Sequence, residues 1–293
     1  MSVVTTAPAV LELCRTHPPD IVVIDLVMPG GQAFDVCRAL KRQTHTRFLP
    51  VVIVTAATDR ANRLEGIRAG ADEFLSKPFD STELHARIQS LVRLKRQTDD
   101  LESAEAVLLG LGATIEARDP STNGHCQRLA RYATILGKAL GLGDADVAAL
   151  ARGGFLHDIG KIAVPDRVLL KRGSLDRNES RVMREHPIIG DALCSGFRSL
   201  QRVRPIVRHH HERLDGSGYP DGLRNSAVPL LAQIISVVDV FDALTSERPY
   251  RHAVARGDAF DMLADEARKG WRDRSLVEAF VSTAASASRR LPR

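Results

Sequence analysis

The sequence predicts a multidomain α/β plus all-α protein: a segment built on parallel strands, then a helical bundle. Three observations carry this expectation. Two short β-branched runs, Ile21-Val22-Val23-Ile24 and Val51-Val52-Ile53-Val54, alternate with helical stretches early in the chain. From Leu108 onward nearly every periodic segment has helical spacing, and strand-like alternation is scarce. A long amphipathic stretch joins the two parts. With 293 residues and 44% hydrophobic content, the chain has enough apolar mass for two cores.

Bulk properties exclude little. A formal charge of +5 suits a phosphate-bearing ligand without pointing to a nucleic-acid polymer. Cys14, Cys37, Cys126 and Cys194 lack C-x-x-C spacing, so neither a disulfide framework nor a zinc ribbon is indicated. No apolar run approaches the roughly 18 residues of a membrane span, and no signal-peptide pattern opens the chain. The expectation is a cytoplasmic protein without membrane insertion.

In the first segment, residues 1–95, Ala33 to Arg42 and Ala61 to Ala69 are helical in period. Strands that are apolar on both sides and alternate with helices predict a parallel sheet, whose site lies at the C-terminal strand ends. There the sequence places Asp25 and Thr55. The series Asp25-Leu26-Val27-Met28-Pro29-Gly30, Thr55-Ala56, Ala69-Gly70-Ala71-Asp72-Glu73-Phe74-Leu75 and Lys77-Pro78-Phe79 resembles a two-component receiver domain, with its flavodoxin-like fold. The resemblance makes Asp25 the phospho-acceptor, Thr55 the switch hydroxyl and Lys77 the cation that pairs with the phosphoryl group. It implies a sensor kinase as a partner.

The match is incomplete. Receivers begin with a strand that ends in paired acidic residues, whereas no Asp or Glu precedes Glu12 here. Magnesium would lose most of its oxygen ligands, which argues against a working phospho-switch at Asp25 and leaves one sheet edge uncovered. A start site placed too late, a degenerate docking domain and a deliberate truncation all fit. A bland reading of Asp25 is a strand-end carboxylate capping the next loop.

Ser81-Thr82 caps a helix in which Leu84, Ile88, Leu91, Val92, Leu94, Leu101, Val107, Leu108 and Leu111 recur at helical spacing. Residues 82–112 are therefore expected to form a helical linker, able to pair with its twin in a homodimer or to lie on its own domain. Gly110 and Gly112 argue against an unbroken coiled coil.

Residues 108–293 should form the all-α domain, with helices at Gln127 to Leu140, Asp144 to Leu156, Asn178 to Glu185, Ile188 to Cys194 and Pro229 to Thr245. His125, His157, Asp158, His186, His210, His211 and Asp239 are candidate metal ligands, since neutral imidazole holds a borderline metal and a carboxylate can bridge two. A helical histidine is more often a surface or hydrogen-bonded core residue, and His209 reads as a solvated neighbour. Gly160 is expected to end a helix, so that Lys161 points into the cleft or compensates the helix dipole. Gly216, Gly218 and Pro220 make a stiff turn around Tyr219, which is either a plain connector or a mount for an aromatic that contacts a base. Glu212, Asp215 and Asp242 are expected to orient ligand imidazoles.

Asp119-Pro120-Ser121-Thr122-Asn123-Gly124-His125, His157-Asp158-Ile159-Gly160-Lys161, His186-Pro187, His210-His211-Glu212-Arg213-Leu214-Asp215-Gly216-Ser217-Gly218-Tyr219-Pro220, Asp239-Val240-Phe241-Asp242-Ala243-Leu244-Thr245-Ser246 and Arg248-Pro249-Tyr250-Arg251 together resemble the HD-GYP family of cyclic di-GMP phosphodiesterases. The whole chain thus resembles an incomplete receiver followed by an all-helical HD-domain bundle.

That resemblance implies hydrolysis of cyclic di-GMP to pGpG, GMP or both, with His157, Asp158 and Lys161 at the reacting centre. It makes the seven candidates the ligands of two divalent ions, iron or manganese, with Asp158 as the bridge. Lys161, Tyr219, Arg248 and Arg251 would bind substrate. Some family members hold a third metal through a glutamate where this chain has Ser121, so two are expected. The alternative is a module that binds cyclic di-GMP or docks a diguanylate cyclase with little turnover. Lys269-Gly270-Trp271-Arg272-Asp273 has no assigned role.

Overall fold

The computed structural model describes residues 2–28, 32–43, 45–56, 60–118, 124–247 and 252–288, with the side chains of 60, 61, 101, 102 and 286–288 set aside. The chain divides into two compact units, Met1–Glu105 and Ala106–Arg293.

In the first unit, β1 (Val22–Asp25), β2 (Val51–Thr55) and β3 (Glu73–Ser76) form a parallel sheet in that order. β2 is central, and all five of its residues are buried. α1 (Ala7–Thr16) and α2 (Ala33–Arg42) pack Val10, Cys14, Val36, Cys37 and Leu40 with Ile24 and Ile53 in one core cluster. In a second cluster, Leu84 and Leu91 at the start of α4 (Ser81–Arg118) pack with Val52, Val54 and Leu75. α3 (Arg60–Ala69) completes the unit. β1 lies at one edge, and its Val23 is 46% exposed.

The parallel register puts Asp25, Thr55 and Lys77 at the C-terminal strand ends. Lys77 Nζ donates to Asp25 Oδ2 at 2.5 Å, and the Val27 amide donates to Asp25 Oδ1 at 3.0 Å. These bonds hold the Asp25 carboxyl below its ordinary value, Lys77 contributing most. Pro29 and Gly30 of the receiver-like motif lie outside the described residues.

α4 runs unbroken through Gly110 and Gly112. Gly112 has a packing reason. A Cβ at this position would come within 2.3 Å of the Phe155 carbonyl oxygen, so the missing side chain lets α4 touch the helix that carries Phe155.

The second unit is helical: α5 (His125–Ala139), α6 (Asp144–Leu156), α7 (Asp166–Leu169), α8 (Arg177–Met183), α9 (His186–Cys194), α10 (Arg204–His209), α11 (Leu230–Thr245), α12 (Arg256–Arg268) and α13 (Arg274–Ser288). Leu129, Leu136, Leu150, Leu156, Ile206, Ile234, Val238, Phe241 and Phe280 fill one core. The spacing of Ile234, Val238 and Phe241 sends one stripe of α11 into that core. Burying each such side chain contributes about 1.5–3 kcal/mol. Phe241 is braced edge-on by Tyr132 and Phe280 and stacked by Phe260, which fixes the azimuth of α11 and therefore of Asp239 and Asp242. Among the described residues, no helix is long and apolar enough to cross a membrane.

Candidate metal centre

Most ligand candidates sit at helix ends, for an energetic reason. His125 opens α5, His157 and Asp158 follow α6, His186 opens α9, and His210 and His211 follow α10, while Asp239 lies inside α11. The last carbonyls of a helix lack intrahelical donors, and an imidazole just beyond can fold back to supply one. His157 Nδ1 lies 3.2 Å from Gly154 O, His186 Nδ1 2.7 Å from Met183 O and His210 Nδ1 2.9 Å from Val207 O. His125 Nδ1 lies 2.8 Å from Asp242 Oδ2. With the proton on each Nδ1, the Nε2 atoms are the ones that face inward, where a lone pair can meet a metal ion.

The inward atoms converge on Asp158. Its Oδ2 lies 3.3 Å from His157 Nε2 and accepts from Lys161 Nζ at 2.6 Å. Its Oδ1 lies 3.2 Å from His186 Nε2 and 3.8 Å from His210 Nε2. Two ligand groups result, each with its atoms within 4.8 Å of one another: His125, His157 and Asp158, and Asp158, His186, His210 and His211. Asp239 approaches the first group, its Oδ1 being 3.5 Å from His125 Nε2.

The residues fit metal ions. His157 Nε2 and Asp158 Oδ1 are buried without a hydrogen-bond partner, a costly state for polar atoms that a cation would relieve. Burial, reinforced by the neighbouring imidazoles, pushes His210 well below its ordinary value, and burial with His186 pushes His211 down to about 3. Both shifts favour the neutral ring that ligation demands. Burial pushes the Asp158 carboxyl up, but Lys161 and His157 outweigh it and hold the group well below its usual range, as a carboxylate.

Asp242, in contact with His125, is itself gripped by Arg128: Nε donates to Oδ1 at 2.6 Å and Nη2 to Oδ2 at 3.0 Å. Burial raises the Asp242 carboxyl, yet His125 and Arg128 together hold it below its ordinary value. Asp242→Ala should cost about 10–100-fold in metal affinity or activity, measurable by metal titration. Arg128 escaped the sequence reading, although it lies one turn after His125 on the same face of α5.

Glu212 and Asp215 do not orient ligand imidazoles. The buried Glu212 carboxylate accepts from the amides of Asp221, Gly222 and Leu223 at 2.7, 3.1 and 3.1 Å, so its work is to close the loop that carries Tyr219. Asp215 is exposed and accepts from the Ser217 amide at 2.9 Å, a local turn. His209 is not a solvated neighbour either: its side chain is 15% exposed and Nδ1 lies 3.5 Å from Asp221 Oδ2. Gly160 does not end a helix. α6 stops at Leu156, and Gly160 sits in a 3-10 turn, Ile159–Ala163, that brings Lys161 back onto Asp158.

The Tyr219 ring stacks on His211, with centroids 4.7 Å apart and planes 27° apart, and the Arg184 guanidinium lies 5.1 Å from its centroid. Trp271, unassigned from sequence, anchors the same loop: its carbonyl accepts from the Leu214 amide at 3.0 Å, and Arg213 stacks on its ring at 3.7 Å. Arg248, Arg251 and Ser121 lie outside the described residues.

Imidazoles and a shared carboxylate at the heart of a helical bundle, with a lysine on that carboxylate, define a metal-dependent phosphohydrolase. Residues 111–276 match the HD domain family and residues 1–89 the response regulator receiver domain. The chain belongs to the HD domain family, joined here to a receiver domain, as the motifs implied. It is 39% identical over 264 residues to the cyclic di-GMP phosphodiesterase response regulator RpfG of Xanthomonas campestris pv. campestris, covering 83% of this chain and 70% of that protein. It is 32% identical over 290 residues to a cyclic di-GMP phosphodiesterase of Thermotoga maritima, covering 89% and 78%. A 3'3'-cGAMP-specific phosphodiesterase of Vibrio cholerae is 37% identical over 150 residues, covering 51% and 33%.

Proposed function

We propose that this chain hydrolyses cyclic di-GMP to pGpG, GMP or both, with two divalent ions, iron or manganese, held in the two ligand groups. The observation that carries the reading is Asp158, whose two oxygens face separate sets of imidazoles. When bound, the ions would supply Lewis acidity at the phosphodiester and a nucleophile at neutral pH. His125, His157 and Asp239 would hold one ion, His186, His210 and His211 the other, with Asp158 common to both. Lys161, already drawn to Asp158, would place its ammonium beside the phosphoryl oxygens as charge builds on them. Tyr219, braced by His211, would border the substrate, with Arg248 and Arg251 binding phosphate.

The receiver-like unit would take its input from a sensor kinase. α4 would support a homodimer, for which Leu94 at 60% and Val107 at 63% exposure offer apolar surface.

The direct test is turnover by protein purified without oxygen and supplied with manganese or ferrous ion. Loss of cyclic di-GMP with appearance of pGpG or GMP is expected. Binding without turnover in any metal would instead make the chain a cyclic di-GMP receptor. Faster loss of 3'3'-cGAMP than of cyclic di-GMP would reassign the substrate, an outcome that the Vibrio similarity makes worth measuring.

A further inference from the structure

The N-cap residue of α5 is Gly124, in the left-handed region at φ 71°, which has no side chain with which to satisfy the first amides. Those amides still need acceptors, and they find them on a different helix. Glu116, in the last turn of α4, accepts from the amide of His125 at 2.6 Å through Oε1 and from that of Cys126 at 3.1 Å through Oε2. The first of these amides belongs to a ligand histidine.

Two more contacts fix α4 against this region. Gly112 lies on the carbonyl of Phe155, two residues before His157, and Arg118 pairs with Asp166 on α7. Gly112, Ile115 and Glu116 thus share a pocket wall with His125, His157, Asp158 and Lys161. An anion at a helix N-terminus is also favoured by the helix dipole, so Glu116 holds the start of α5 by charge as well as by hydrogen bonds.

We propose that Glu116 is a positioning residue for the ion held by His125, His157, Asp158 and Asp239, and that it leaves the other ion alone. The proposal rests on the two-ion reading above. Its basis is asymmetry: His125 belongs to one ligand group only, and Glu116 fixes the backbone of His125 but of no ligand in the His186, His210 and His211 group. Without Glu116, the first turn of α5 loses its acceptors and frays, and His125 loses its fixed distance to Asp239.

The test uses the full chain, loaded with manganese and washed, with bound metal counted by elemental analysis. Wild type should hold close to two ions and Glu116→Ala close to one, with kcat down about 10–100-fold and KM little changed. Glu116→Gln, which keeps one amide-accepting oxygen, should recover part of the lost metal. Asp176→Ala provides the control for simple loss of a cap: Asp176 caps α8 through the amides of Asn178 and Glu179, so this variant should melt earlier yet keep both ions. Two ions retained by Glu116→Ala would overturn the proposal, as would loss of both together, which would make Glu116 a general prop of the bundle. A wild-type chain that takes up no ion would defeat the metal reading itself, and the proposal with it.

Discussion

Replacing Asp158 by alanine will strip metal from both ligand groups at once and lower phosphodiesterase activity about a thousand-fold or more. The reasoning is geometric. Among the described residues, Asp158 alone belongs to both groups, Oδ2 facing His157 and Oδ1 facing His186 and His210. A metal centre contributes several kcal/mol to stabilising a phosphoryl transition state, and about 4 kcal/mol corresponds to roughly a thousand-fold in rate. The substitution also removes the carboxylate that accepts from Lys161 Nζ at 2.6 Å. Elemental analysis and cyclic di-GMP turnover on one preparation check the result. Retention of either ion in stoichiometric amount would show that Asp158 is not the common ligand.

Gly160→Ala will have the largest effect on folding. A methyl group there would lie 1.9 Å from His186 O and 2.6 Å from Gly190 N, both backbone atoms of α9 that no rotamer change can move aside. The 3-10 turn bearing Lys161 and the helix opening with His186 would be forced apart. Overpacking of this kind costs about 1–3 kcal/mol and sometimes more, which in a domain of this size lowers the melting temperature by roughly 5–10 °C. Metal affinity should fall in parallel, since Asp158 and His186 flank the contact. Gly196→Ala, built into open space, should melt like wild type. Equal melting of the two variants would refute the packing argument.

The side chains that the fold brings together were visible in the sequence because metal chemistry needs particular residue types, and those stand out: a His-Asp pair, a His run, an aspartate on an apolar helix. What could not be read were residues whose role arises only when distant segments meet. Arg128 and Glu116 are ordinary charges on helices until Asp242 and the start of α5 come against them. Glu212 misled for a related reason. Beside two ligand histidines it looked like their acceptor, but the amides of residues 221–223 need one more urgently, since buried backbone donors seldom go unpaired. Gly160 was read as punctuation, whereas its place is set by the carbonyl lying against it. In the first unit, two apolar runs announced two parallel strands with Asp25 and Thr55 at their ends, whereas the pairing of Lys77 with a group at Asp25 was implied only by the receiver resemblance.

The indole of Trp271 is the single one in the chain. It lies under the Arg213 guanidinium, and its own carbonyl holds Leu214. Emission from this fluorophore therefore arises where the Tyr219 loop is fastened, and an apposed cation shifts its wavelength when it moves. The protein carries its own optical gauge of that loop, readable without any label.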